Sequence, residues 1–167
     1  MRRALSHTAG QDQWAGAHAR MDERLSRTSP APLAVAFSGG GDSLALLLAA
    51  VAWTRRHGRA LIAFTVDHRL QSQGAAWATA CAAICERLGV THRTLVWTGD
   101  KPATGLPAAA RAARHRLLAG AAREAGAAVV LMGHTADDVF EAAAMRSAGS
   151  TTPSPRVWAP SPGGGRG

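Results

Sequence analysis

The sequence is poor in cysteine and lysine, and the shortage of cysteine excludes one class of metal site. Cys81 and Cys85 are the two cysteines, and Lys101 is the one lysine among nineteen basic residues. A four-cysteine metal site is excluded because no second pair exists. The two cysteines are four residues apart on a predicted helix and share a face, so we interpret them as buried apolar residues.

Long apolar runs are also missing. No stretch of about eighteen apolar residues occurs, and the first residues lack an apolar segment followed by a cleavage site, so the sequence predicts neither a membrane span nor a secretion signal. A cytoplasmic location is therefore expected. The length of 167 residues suits one domain with a substantial core.

The charge balance is strongly basic, with a formal net charge of +8 and a pI of about 11.5. Arginine presents a planar set of donors that suits phosphates, so this balance favours a polyanionic partner such as nucleic acid. The alternative is a compositional bias toward arginine and alanine, because the basic residues are scattered along the chain.

Apolar runs alternate with helical stretches along the middle of the chain. Strands are predicted over 33–37, 60–66, 92–97 and 127–132, and helices over 43–57, 74–88 and from 107 to about 125, with one more helix after the last strand. This alternation predicts an α/β fold, a doubly wound parallel sheet with helices on both faces. We divide the chain into an N-terminal arm (1–32), which includes a loosely docked helix, a central α/β domain (33–147) and a flexible Pro/Gly-rich tail (148–167).

A glycine-rich loop joins the first predicted strand to the next helix. It consists of Ser38, Gly39, Gly40, Gly41, Asp42 and Ser43. Glycines let the backbone approach an anion, and the start of the helix supplies free N–H groups and a positive dipole. A carboxylate beside phosphates requires a cation between them, so Asp42 is interpreted as a magnesium ligand. An ordinary strand-to-helix turn is the alternative.

Polar clusters follow two other predicted strands, and the carboxyl ends of parallel strands meet at one edge of a sheet. Asp67 and His68 follow the second strand, and His134, Asp137 and Asp138 follow the last one. Capping of a helix is the alternative role for Asp137. On the long predicted helix, Arg111 and Arg114 are three apart and either one suits a phosphate, although a solvated basic face would look the same.

Taken together, these motifs resemble those of the PP-loop ATPases and, among them, the tRNA(Ile)-lysidine synthetase family. The resemblance covers about residues 33–146. It rests on four segments in matching order, which are Ala36–Ser43, Thr65–His68, Ala110–His115 and Gly133–Asp138. It implies a Rossmann-like fold of the adenine nucleotide alpha hydrolase type with five parallel strands.

The resemblance also implies a reaction. ATP adenylates the wobble cytidine of an isoleucine tRNA with a CAU anticodon and releases pyrophosphate, and the amine of L-lysine then displaces AMP. Residues 38–43 would bind ATP, Asp42 would hold Mg²⁺, and Arg114, His134 and Asp138 would surround the α-phosphate and the reacting base, with Arg111 as a competing candidate. The oligomeric state stays open, a dimer being one state that the family suggests.

The chain departs from the family pattern at several positions. The last motif commonly has a second His, a Gln and a Thr where this chain has Thr135, Val139 and Ala142, and the second motif has Gly and Arg where it has Arg69 and Gln71. Family members also continue into segments that grip tRNA. Three alternatives therefore stay open: an ATP-binding fragment without turnover or with the first half-reaction only, a tRNA thiolase, and an ammonia-dependent synthetase.

Overall fold

A computed structural model describes residues 14–133, which form four helices and four strands. In chain order these are α1 (Ala15–Arg24), β1 (Leu33–Ala36), α2 (Gly41–Arg56), β2 (Leu61–Asp67), α3 (Gly74–Arg87), β3 (Thr91–Val96), α4 (Leu106–Glu124) and β4 (Val130–Met132). Within this range no helix is both long enough and apolar enough to cross a membrane. The tail predicted over 148–167 lies outside the described residues.

The strands form one parallel sheet in the order β3-β2-β1-β4. From β1 the chain moves outward through β2 to β3, and α4 then carries it back to pair β4 with the free side of β1. The direction of winding therefore reverses between β1 and β4. The predicted doubly wound α/β fold is confirmed, but the sheet has four strands within residues 14–133 where the family resemblance implied five.

Side chains from alternate residues of β1 enter two separate cores, as the twofold period of a strand requires. Leu33 and Val35 belong to the core with α1, α2 and α3, whereas Ala34 and Ala36 belong to the core with α4. Every residue of β1 is buried. The small alanines of β1 face a helix that is itself rich in buried alanine, so α4 packs close to this side of the sheet. Helices thus cover both faces of the sheet.

Helix α1 packs on α2 through polar as well as apolar contacts. Its Met21 is buried in the core, and Nε2 of His18 lies 3.1 Å from the carbonyl oxygen of Ala49. The Asp22 carboxylate accepts a 2.7 Å hydrogen bond from the indole N–H of Trp53. This bond lowers the pKa of Asp22, and Arg27 and His57 lower it further, although burial acts in the opposite direction. The helix in the predicted arm is therefore fixed by specific side-chain contacts.

Candidate functional site

The loop that follows β1 is tightened by its two serines. Ser43 Oγ donates to the carbonyl oxygen of Gly40 over 2.9 Å, and Ser38 Oγ donates to Ser43 Oγ over 3.0 Å. Gly39 adopts φ +80, a left-handed conformation that glycine reaches without strain. At this end of α2 the N–H of Leu44 donates to the Gly40 carbonyl over 2.9 Å. The predicted glycine-rich turn is therefore a compact loop that ends at a helix N-terminus.

This end of α2 offers unused donors to an anion. The N–H groups of Gly41, Asp42 and Ser43 precede the first helical hydrogen bond and have no acceptor within the helix. No side chain within residues 14–133 caps this end of the helix, whose N-cap residue is Gly40. A Cβ built on Gly41 would meet no atom within 4 Å, so its surroundings are open. The geometry fits a phosphate group, which helix N-termini commonly bind.

The opposite side of the loop lies against α3. A Cβ built on Gly39 would stand 2.9 Å from Cys81 Sγ and 2.9 Å from two ring atoms of Trp77. The indole N–H of Trp77 also donates to the carbonyl oxygen of Ser38 over 2.6 Å. Glycine at position 39 is thus required twice, for its φ angle and for the close approach of α3.

The end of β2 places Asp67 and His68 near the loop. Asp67 is buried, and its Oδ1 accepts a 2.8 Å hydrogen bond from the N–H of Arg69. Burial lowers the pKa of His68, and the charges of Arg114 and Lys101 lower it further, while Asp67 opposes them. An imidazole whose pKa is lowered in this way is neutral at pH 7, with one ring nitrogen that carries a proton and one that can accept a proton.

A cleft of about 200 Å³ connects these parts, with Ser38, Thr65, His68, Trp77 and Arg114 among its lining residues. It joins the ends of β1 and β2 to a side chain from α4 on the other face of the sheet. Burial lowers the pKa of the Arg114 guanidinium, as does the neighbouring charge of Arg111, which is not among the lining residues. An anion in the cleft would offset both penalties on Arg114.

A larger groove of about 330 Å³ lies between β3 and α4 and includes Arg93, Leu117 and Glu124 in its walls. No residue of the glycine-rich loop lines it, so its size alone does not make it the candidate site. Between residues 14 and 133 no three His, Cys, Asp or Glu side chains cluster as metal ligands.

The two cysteines are unsuited to thiol chemistry at neutral pH. Both are free and buried, in agreement with the expectation that they are apolar core residues. Burial raises the pKa of Cys81, and burial together with the nearby Cys81 raises the pKa of Cys85 to about 11. Reactive cysteines usually have a lowered pKa, so this pair does not support the thiolase alternative.

Several of the sequence-predicted residues meet at this site. Ser38 of the loop and Arg114 line the cleft, and Asp42 lies exposed in the first turn of α2. His134 and Asp138, which were predicted to join them, lie outside the described residues. Sequence reasoning missed Trp77. A signal was present, because Trp77 and Cys81 are four residues apart and share a face of α3.

Comparisons with known proteins support the same assignment of family. A family model described as a PP-loop domain matches residues 15–154. The tRNA(Ile)-lysidine synthase of Caulobacter vibrioides is 56% identical over 144 residues, which are 86% of this chain and 35% of that protein. The tRNA(Ile)-lysidine synthase of Mesorhizobium japonicum is 53% identical over 115 residues, 68% of this chain and 25% of that protein. The matched part of the chain thus spans 35% of the length of the first relative and 25% of the length of the second.

Among solved structures, the U34-tRNA thiolase NcsA from Methanococcus maripaludis with its [4Fe-4S] cluster superposes with a TM-score of 0.69. The match covers 84% of this chain and 52% of that one, at 20% sequence identity, and so bears on the fold alone. The glycine-rich loop, its place beside the reversal point of a parallel sheet and the extent of the family match agree with one another. The chain belongs to the PP-loop domain family.

Proposed function

We propose that this chain binds ATP with Mg²⁺ and carries the nucleotide chemistry of a tRNA(Ile)-lysidine synthase. One observation carries the proposal: Ser38, the first residue of the glycine-rich loop, and Arg114 line the same cleft from opposite faces of the sheet, at its carboxyl edge. Ligands of open α/β sheets bind at this edge, near the point where winding reverses. The PP-loop family assignment supports ATP as the nucleotide.

The loop suits the release of pyrophosphate as one unit. It lacks the lysine of the common phosphate-binding loop that reaches the terminal phosphates of a bound nucleotide. Its donors are instead the N–H groups of Gly41, Asp42 and Ser43 at the start of α2. Donors held in place before reaction stabilise the charge that develops on a leaving group without reorganising. The loop therefore orients the β- and γ-phosphates and stabilises their departure.

The exposed carboxylate of Asp42 is the residue that would hold Mg²⁺ in this part of the site. When bound, the metal ion neutralises phosphate charge and aligns the phosphates for displacement. Arg114 would hold the α-phosphate, because its guanidinium lies in the cleft and its burial disfavours an uncompensated charge. His134 and Asp138 are proposed to face the reacting base, on the resemblance of their motif alone.

The proposed substrates are an isoleucine tRNA with a CAU anticodon and L-lysine. The 2-oxygen of the wobble cytidine attacks the α-phosphorus of ATP and pyrophosphate leaves. The lysine amine then attacks the activated carbon, and AMP leaves with the oxygen. The names of the curated relatives support this choice, and the net charge of +8 favours a polyanionic partner. A cytoplasmic site of action remains part of the proposal.

The test is to incubate the chain with ATP, Mg²⁺, L-lysine and that tRNA, and to measure AMP, pyrophosphate and incorporation of labelled lysine. Pyrophosphate release that depends on tRNA, followed by lysine incorporation, is the expected result. Pyrophosphate release without lysine incorporation would assign the first half-reaction alone to this chain. No nucleotide binding by calorimetry in the presence of Mg²⁺ would overturn the proposal.

Asp42→Asn tests the metal site without changing the shape of the loop, because the amide keeps the size of the carboxylate and removes its charge. We expect the variant to need a higher Mg²⁺ concentration for ATP binding. Glu23→Gln, an exposed change on α1, serves as the matched control. If Asp42→Asn keeps the Mg²⁺ dependence of the parent, Asp42 is not the metal ligand.

A further inference from the structure

We propose that Trp77 is a positioning residue of the glycine-rich loop, whose indole N–H fixes the orientation of the peptide between Ser38 and Gly39. This inference rests on the proposed binding of ATP at the loop and adds a residue from α3 to that site. The family motifs that the sequence contains do not include this residue. The contact assigns it a role in holding the Ser38–Gly39 peptide in one orientation beside the donors of Gly41, Asp42 and Ser43.

The contacts of Trp77 are unusual for a large aromatic side chain. The residue is 55% exposed, yet its indole N–H donates to the Ser38 carbonyl over 2.6 Å. Two of its ring atoms stand 2.9 Å from the place that a Cβ on Gly39 would occupy. Trp77 also lines the cleft together with Ser38 and Arg114. Burial of apolar area explains these contacts poorly, because more than half of the side chain stays in solvent.

The hydrogen bond from Trp77 also fixes the direction of the Gly39 N–H. In a planar trans peptide the C=O and the next N–H point in opposite directions. Because the Ser38 carbonyl points toward the indole of Trp77, the N–H of Gly39 points away from it. Glycine populates both signs of φ readily, so without this bond the peptide could rotate and turn its carbonyl the other way. A carbonyl directed at a phosphate would repel it.

The side-chain packing supports the same role. Cys81 lies one turn after Trp77, and its Sγ also stands 2.9 Å from the place that a Cβ on Gly39 would occupy. Leu47, Cys81 and Cys85 belong to one core, so α3 is fixed beneath the loop independently of any ligand. Trp77 is therefore held on a rigid helix and can orient the loop before a nucleotide arrives. Such preorganisation increases affinity by reducing the ordering cost of binding.

The test uses the full chain and Trp77→Phe, which keeps an aromatic ring beside Gly39 and removes the N–H donor. ATP and inorganic pyrophosphate are titrated by calorimetry with Mg²⁺ present, and thermal midpoints are measured without ligand. We expect both Kd values to rise about fivefold, the effect of losing one ordinary hydrogen bond, while the thermal midpoint falls by no more than about 4 °C. Thr79→Ala is the matched control, since Thr79 is exposed on α3 and its hydroxyl donates to the Ala75 carbonyl of the same helix.

If Trp77 had a purely structural role, Trp77→Phe would lower the thermal midpoint without weakening the binding of ATP and of pyrophosphate by the same factor. Unchanged Kd values in folded Trp77→Phe, or a loss of tRNA binding with ATP binding intact, would overturn the inference. If the phenylalanine variant does not fold, Trp77→Tyr also lacks the indole N–H and is judged by the same outcomes. Failure of the parent chain to bind ATP would instead overturn the proposed function, so the two failures are distinguishable.

Discussion

The backbone N–H of Arg69 donates to Oδ1 of Asp67 over 2.8 Å, and Arg69 adopts φ +51. Among the described non-glycine residues, Arg69 is the one with positive φ. The turn at the end of β2 therefore places a long charged residue in a conformation that glycine adopts more easily. The PP-loop pattern that this chain resembles has glycine at this position. The hydrogen bond to Asp67 compensates for part of that conformational cost.

We expect Arg69→Gly to raise the free energy of unfolding by about 0.5–1 kcal/mol, because glycine removes the strain of positive φ and keeps the backbone N–H. For a chain of this size the thermal midpoint should rise by roughly 1–4 °C. Arg69→Ala is the control, since it removes the same side chain and keeps the strain. A similar rise in both variants would show that the side chain, and not the backbone, causes the strain.

Gly39 and Gly41 should respond differently to alanine. Gly39→Ala is expected to destabilise the fold by about 1–2 kcal/mol through its φ angle, and by more through contact with Trp77 and Cys81. Gly41→Ala should leave stability within about 1 kcal/mol of the parent, because its Cβ meets nothing, but should weaken ATP binding. Urea unfolding and calorimetry measure the two effects. Normal ATP binding by Gly41→Ala would mean that the phosphates do not occupy this open space.

The two arginines of α4 provide a matched pair for the anion site. Arg114→Ala should weaken ATP binding by about 10- to 100-fold, the loss that follows removal of a hydrogen bond to a charged group. Arg111→Ala should change the affinity by no more than about twofold, since long-range charge effects are screened by salt. Titration of both variants with ATP at 150 mM salt tests this. Equal losses in the two variants would place both side chains at the phosphates.

Asp22 should make the docking of α1 depend on pH. The pKa of Asp22 is lowered in the folded protein, chiefly by the hydrogen bond from Trp53. The ionised carboxylate therefore stabilises the folded state. This contribution is present above about pH 4, the value for an unfolded aspartate, and is lost as the pH falls through the lowered pKa. The stability difference between the parent and Asp22→Asn should therefore shrink below about pH 4. Urea midpoints between pH 2.5 and 7 measure it, and a difference that is independent of pH would contradict the assignment.

The general architecture was predictable because its signals are local and strong. The apolar run of β1, followed by three glycines and a helix, is readable as strand, loop and helix without knowledge of the rest. Parallel pairing then brought Ser38 and His68 to one edge, because both follow strands of the same sheet. These two residues line one cleft, as the parallel topology predicted, and the site is proposed at that cleft.

Other features depended on packing that periodicity does not encode. Arg111 and Arg114 are one turn apart, and their sequence positions could not decide which enters the cleft. Trp77 was missed because its contact with the loop depends on how α3 is set against the sheet. The docking of α1 was underestimated because His18 and Asp22 are polar, and their partners on α2 are distant in sequence.

The pairing of β4 with β1 also affects when the site can form during synthesis. Ala34 pairs with Val130, so the central strand gains its second neighbour only after almost all of the described residues have left the ribosome. Arg114 reaches the cleft from the helix that leads into that last strand. A nascent chain that ends before β4 therefore has the glycine-rich loop without the sheet partner beside it, and the proposed nucleotide site is complete only once β4 has paired with β1.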